Sequence, residues 1–165
     1  RKYGPGVSDT EIKLGQAAPY SGPVSVYGQI GHAQQAYFAK INAEGGINGR
    51  KINLISLDDG YMPPKTLEQV RKLVEQDKVL LIFNSVGTAT NLVARQYLNP
   101  LKVPHLFVAG GDTAWGDYLH YPWTIGWGSS YQTEGRRAKP TARLTKSGGG
   151  RKLTSPWPGL RRKAS

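Results

Sequence analysis

The sequence predicts an α/β fold built on a doubly wound parallel sheet, and three observations carry that expectation. Short apolar runs alternate with longer amphipathic stretches, the connections are too short for anything but crossover units, and one run, Val79 to Phe83 (VLLIF), is apolar throughout. A continuous apolar run marks a central parallel strand covered on both faces. Regular strand–helix alternation implies right-handed crossovers with helices on both sides of the sheet.

The elements follow in order. Glu11 to Ala18 (EIKLGQAA) reads as the first strand, broken by Tyr20-Ser21-Gly22-Pro23. From Gly28 to Ala43 the residues Ile30, Ala33, Ala36, Tyr37 and Ile41 recur at helical spacing, and Gly45-Gly46 stops the helix. Asn48-Gly49 signals a turn, and Lys51 to Leu57 alternates as a strand with one buried face until Asp58-Asp59-Gly60 closes it. Pro63-Pro64 opens a second helix through about Gln76, with Leu67, Val70, Arg71 and Val74 on its expected packed side. The run from Val79 to Phe83 is the third strand, Thr88 to Leu98 the third helix, and His105 to Ala109 (HLFVA) the fourth strand.

In such sheets ligands bind where the carboxyl ends of strands meet helix starts. Four segments are expected there: Pro19 to Tyr27, Asp58 to Met62, Asn84 to Thr90 and Ala109 to Trp115. The Asn84–Thr90 loop leaves the central strand and enters a helix, whose unpaired N–H groups and positive end suit a carboxylate or phosphate. The plainer reading of the same loop is capping, with Ser85 or Thr88 satisfying the helix's own amides. Tyr20, Ser21 and Tyr27 surround the first strand–helix turn, where rings can wall a pocket and hydroxyls can orient a polar group. Asp58-Asp59 before Gly60 and Pro63-Pro64 reads as a strand-ending turn and helix cap rather than a metal pair.

Several function classes find no support. The chain has no cysteine, which excludes disulfides and thiolate chemistry, and its three histidines, His32, His105 and His120, lack a zinc-site spacing. There is no GxxxxGK[ST] or GxGxxG phosphate turn and no GxSxG elbow, so neither an enzyme nor a cofactor is expected. No apolar run approaches the ~20 residues of a membrane span, and Arg1-Lys2-Tyr3-Gly4-Pro5 lacks a signal-peptide core, as expected of a mature exported form.

The net charge of +11 would suggest a nucleic-acid partner, but its distribution does not. Residues 1–135 hold 12 Lys and Arg against 11 Asp and Glu, whereas residues 136–165 hold the other 10 basic residues and no acid. That segment, rich in Gly and Pro and without apolar period, is expected to be disordered. It reads either as an altered reading frame or as a natural basic tail, and on the latter reading the chain is an α/β module that docks on nucleic acid or anionic surfaces.

Taken together, Tyr20-Ser21-Gly22-Pro23 with Tyr27-Gly28, Ile41-Asn42-Ala43-Glu44-Gly45-Gly46-Ile47-Asn48-Gly49-Arg50-Lys51, Asp58-Asp59, Pro64-Lys65-Thr66 and Lys102-Val103-Pro104 resemble the amino-terminal signature of the periplasmic leucine/isoleucine/valine-binding family of ABC transporter-associated proteins. The resemblance spans about Asp9 to Gly135 and implies a short arm (1–10), the first lobe of a two-lobed clamshell (11–135) and a tail outside the family pattern (136–165). It further implies capture of a small solute (an amino acid, amide or aromatic acid) for a membrane permease, a periplasmic location, a monomer, and no specific nucleic acid partner. The positions that match the family's first-lobe pocket are Tyr27, Gly87, Thr88, Gly110 and Asp112, with Tyr20, Ser21 and Ser85 beside them. The helix-start position holds the ligand carboxylate in amino-acid-binding relatives, which agrees with the reading of Gly87-Thr88. Asp112 stands where a small or hydroxyl residue is usual, so it is expected to repel an acidic ligand or favour an amine. Because a clamshell needs both lobes, a chain holding one lobe is expected to bind weakly or not at all.

Overall fold

The computed structural model describes residues 2–138, so the disorder expected of the basic segment falls, from residue 139 on, outside the described residues. Five strands, β1 (Glu11–Ala18), β2 (Lys51–Asp58), β3 (Leu81–Phe83), β4 (His105–Val108) and β5 (Thr124–Gly126), form one parallel sheet in the order β2-β1-β3-β4-β5. The helices α1 (Gly28–Ala43), α2 (Pro63–Glu75) and α3 (Thr88–Leu98) supply the crossovers. The chain divides into two units between Ser130 and Tyr131; in the second, α4 (Tyr131–Ala138) runs through Arg136 and Arg137, past the boundary expected at residue 135.

The sheet is doubly wound. Ala17, Val70, Leu73, Val79, Ile82, Ala94 and Leu98 form the main core between the sheet and the α2 and α3 side, while Leu14, Ile52 and Leu54, with Phe38 and Phe83, form a smaller cluster under α1. Strand order reverses between β1 and β3, so the loops leaving those two strands diverge and open a crevice.

Burial departs from the expected helix faces in both α1 and α2. In α2, Thr66, Val70 and Leu73 are buried and Arg71 is exposed, so the packed stripe lies about one position away from the expected one. In α1, Ala33, Ala36 and Tyr37 are exposed, and the helix approaches the sheet through Gly28 and Gly31. A Cβ at Gly31 would stand 2.0 Å from the Tyr20 hydroxyl, so only glycine admits that ring.

Beneath α1 lies a polar seam. Gln16 Nε2 donates to Gln34 Oε1 and to the Asn84 carbonyl, Ser56 Oγ donates to Gln16 Oε1, and Gln34 Nε2 donates to Asn84 Oδ1. An interface satisfied by hydrogen bonds carries no apolar period, which is why the spacing of Ala33, Ala36 and Tyr37 misplaced the buried face. Strand β3 is also shorter than its apolar run, since Val79 serves the main core and only Leu81–Phe83 pairs. Strand β5, three residues following Tyr121-Pro122-Trp123, had no apolar run to announce it.

Candidate functional site

All four expected segments lie at the carboxyl ends of β1 to β4. The first two are tied together by Asp58. Its carboxylate accepts from the backbone N–H groups of Tyr20 (2.9 Å), Ser21 (3.0 Å) and Gly60 (3.0 Å), from Ser21 Oγ (2.6 Å) and from Lys65 Nζ (2.8 Å). Desolvation works to raise the Asp58 pKa, but Lys65, the Ser21 hydroxyl and the Gly60 and Ser21 amides together hold it well below the usual carboxylate range. The neighbouring Asp59 is buried, accepts from Tyr61 N (2.8 Å) and Thr66 Oγ1 (2.8 Å), and is pushed up by desolvation. The pair thus forms the strand-ending turn expected of it but not the helix cap, since α2 begins after Met62 with no side-chain cap. Among the described residues no group of three or more His, Asp or Glu is placed to hold a metal ion.

Two candidates from the first turn serve the scaffold. The Ser21 hydroxyl is engaged by Asp58, and the Tyr20 hydroxyl shares a 2.5 Å hydrogen bond with Ser56 Oγ while its ring lies against His32. Tyr27 ends a short 3-10 turn, is 55 % exposed, and no side-chain hydrogen bond ties it to the other candidates.

The β3–α3 loop is arranged differently from the capping reading. Ser85 Oγ is buried and accepts from Ala17 N (3.1 Å), joining the loop to β1, and α3 begins with no side-chain cap. Gly87 has φ 108°, and a Cβ there would stand 2.4 Å from the Tyr61 ring and 2.6 Å from Thr90 Oγ1. Both the backbone conformation and the packed ring therefore require glycine. Thr88 Oγ1 is buried without a hydrogen-bond partner among the described residues.

The β4 end closes against this loop. Val86 bridges to Ala109, Gly87 N donates to the Ala109 carbonyl (3.0 Å), and Ala109 N donates to the Ser85 carbonyl (2.9 Å). A Cβ at Gly110 would lie 3.1 Å from Thr88 Oγ1 and 3.4 Å from Trp115 Nε1, and both of these polar atoms lack hydrogen-bond partners among the described residues. Asp112 accepts from Ala114 N (2.8 Å) and so caps the following 3-10 turn. With Thr113, Trp115, Ile125, Gly128 and Ser130 it lines a cleft of about 340 Å³.

Gly87, Thr88, Gly110 and Asp112 are thus gathered on the two adjoining loops of β3 and β4, with Ser85 behind them, while Tyr20 and Ser21 belong to the Asp58 knot. Tyr61 links the groups by packing on Gly87. Tyr61 and Trp115 lie inside the expected segments but were not singled out, because no motif distinguishes a site-facing aromatic from a surface one. Asn84, Asn91 and His105, buried around the loops, gave no signal beyond their polarity.

The candidate residues thus lie on strand-end loops of a doubly wound lobe, where α/β sheets take their ligands, beside a helix start that no side chain caps. The chain belongs to the periplasmic binding protein family, whose model matches residues 11–155. It is similar to the Leu/Ile/Val-binding protein of Escherichia coli (strain K12), with 30% identity over 63% of this chain and 35% of that protein. Among solved structures it is similar to a fatty acid ABC transporter substrate-binding protein from Thermomonospora curvata, with a TM-score of 0.72 and 29% identity over 89% of this chain and 37% of that one. It is also similar to an ABC transporter solute-binding protein from Rhodopseudomonas palustris BisB5 in complex with 3,4-dihydroxy benzoic acid, with a TM-score of 0.60 and 27% identity over 73% and 32% of the two chains. The chain spans between 23% and 35% of the length of the curated relatives it matches.

Proposed function

We propose that this lobe takes one side of a small carboxylate-bearing solute, as part of an extracytoplasmic binding component that serves an ABC importer. The observation that carries the reading is the start of α3: no side chain caps it, and Ser85, the nearest hydroxyl of the loop, is committed to β1. First-turn amides at a positive helix end favour an anion. The relatives' solutes agree with that chemistry, since branched-chain amino acids, fatty acids and 3,4-dihydroxybenzoic acid all carry a carboxylate. Asp112 sits one loop away with an acidic side chain, which favours a solute bearing an amine as well as a carboxylate.

On this reading the chain binds and does not catalyse, uses no cofactor, acts as a monomer in the periplasm, and hands its solute to a membrane permease. The arm, lobe and basic tail are then distinct segments, with binding confined to residues 11–135 and independent of residues 136–165. A single lobe covers only one side of a solute, so its own affinity is weak and the second lobe supplies the other wall.

Thermal unfolding with L-leucine, octanoate and 3,4-dihydroxybenzoate, each against the carboxamide that replaces its carboxylate, tests the reading. A ligand at 100 times its Kd stabilises by about 2.7 kcal/mol, which shifts the midpoint by several degrees. A shift is expected with at least one carboxylate and not with its amide. Equal shifts for acid and amide, or none with any acid at high millimolar concentration, would overturn it.

A further inference from the structure

The β3–α3 loop is held from below by a residue that no motif announced. Asn91, the fourth residue of α3, is fully buried; its Nδ2 donates to the Ser85 carbonyl (3.1 Å) and to the Gly87 carbonyl (2.6 Å). Its Oδ1 lies 3.0 Å from Nε2 of His105, itself fully buried in β4. With both Asn91 amide hydrogens committed to carbonyls, Oδ1 must accept, so His105 carries its proton on Nε2. Its Nδ1 is left buried with no partner among the described residues.

That tautomer has a consequence. A buried unpartnered ring nitrogen costs stability, and an apolar side chain of similar size would avoid the cost, but it could not donate to Asn91. The orientation of Asn91 in turn sets the loop. In a trans peptide the C=O and N–H point in opposite directions. Drawing the Gly87 carbonyl to Asn91 therefore turns the Thr88 N–H away from Asn91.

We propose that Asn91 is the positioning residue that aims the first amide of α3 outward, and that His105 holds Asn91 in the working orientation. The inference rests on the reading of this helix start as the carboxylate site, and it deepens that reading by naming what builds the site. His105 N also donates to the Trp123 carbonyl at the entry to β5, so the chain of bonds runs from β5 through β4 and α3 to the loop.

Three variants of the full 165-residue chain test it, read by amide hydrogen exchange and by calorimetry with the carboxylates used above. His105→Leu keeps volume and loses the donor, His105→Gln restores a donor, and Asn91→Asp keeps the acceptor for His105 while removing both donors to the loop. Exchange at Gly87 and Ala109, which bond across the loop, is expected to rise about tenfold in His105→Leu and Asn91→Asp, the effect of roughly one lost hydrogen bond. Amides of β1 and β2 stay unchanged, and His105→Gln stays within about threefold of the parent. Carboxylate affinity follows the same order. Exchange rising equally everywhere, or His105→Gln behaving as His105→Leu, would overturn the proposal by showing an ordinary core role. If the parent binds none of the acids, the functional reading fails, and the exchange pattern alone still decides for or against positioning.

Discussion

The side-chain amide of Asn84 donates to the carbonyl of Phe107, joining the end of β3 to an irregularity in β4, and both residues have left-handed backbone, φ 46° and φ 61°. Asn84 also accepts from Gln34 Nε2 (2.6 Å) through Oδ1 and from Gln16 Nε2 (3.0 Å) through its carbonyl. Left-handed backbone costs most residues roughly 1–2 kcal/mol, less for Asn and nothing for Gly. The two parts of the Asn84 contribution can therefore be separated. Asn84→Ala loses side-chain bonds and incurs backbone strain, Asn84→Gly only the first. Urea denaturation is expected to place Asn84→Ala about 1 kcal/mol below Asn84→Gly, with both below the parent. Equal midpoints for the two variants would show that the backbone strain is relieved elsewhere.

Gly87→Ala meets three obstacles at once, a positive φ, the Tyr61 ring 2.4 Å from the new methyl carbon and Thr90 Oγ1 2.6 Å from it. A loss of about 2–4 kcal/mol is expected. Adding Tyr61→Ala removes the ring clash and leaves the φ penalty and the close Thr90 hydroxyl, so the double variant should recover part of what Gly87→Ala loses relative to Tyr61→Ala alone. Full additivity of the two changes in denaturant unfolding would contradict the packing assigned to Tyr61.

Thr88→Val and Ser21→Ala should separate binding from stability in opposite directions. The Thr88 hydroxyl is buried without a partner, so its removal is expected to leave stability unchanged or raise it by up to about 1 kcal/mol while weakening carboxylate binding. The Ser21 hydroxyl donates to Asp58, so Ser21→Ala should lower stability by about 1 kcal/mol and leave affinity nearly intact. Calorimetry that finds equal affinities in the two variants would rule out a ligand role for Thr88.

Acid should destabilise the fold before its carboxylates titrate. Burial, with the charge of Arg95, holds His105 down to about 3 from the ordinary 6.5. Between those values the unfolded chain binds a proton that the folded chain does not, so stability falls as pH drops below 6.5, by up to about 1.4 kcal/mol per unit. Below about pH 4 the Asp58 carboxyl, held under its ordinary 3.8, adds a second loss, whereas Asp59, raised above 3.8, works in the opposite sense and only above 3.8, where it returns some stability as pH falls. Urea midpoints from pH 7.5 to 5 should decline in the parent and stay flat in His105→Gln; parallel declines would assign the slope to another group.

Much of the lobe was legible before any tertiary information. Gly28–Ala43 and Thr88–Leu98 have the bounds their spacing and punctuation indicate, and the four strand-end segments lie where α/β topology puts them. The loops that carry the candidate residues were legible, but the partners of their side chains were not. Ser85 and Thr88 looked like caps and neither caps α3; Tyr20 and Ser21 looked like pocket groups and are bonded to Ser56 and Asp58. Hydroxyl-bearing residues at a strand end have many partners within reach, and composition does not choose among them.

By itself the sequence determined the alternation of strands and helices, the places of the strand-end loops, and the confinement of excess positive charge to residues 136–165. These follow from periodicity and punctuation, which are local. Only the tertiary structure decided that α1 packs on a polar seam, that β5 exists, and that Asn84, Asn91 and His105 sit inside. The physical reason is that a buried polar group is tolerable only when a partner satisfies it. Those partners come from far along the chain: Gln16 meets the Asn84 carbonyl, and Ala17 meets Ser85, across 68 residues of sequence.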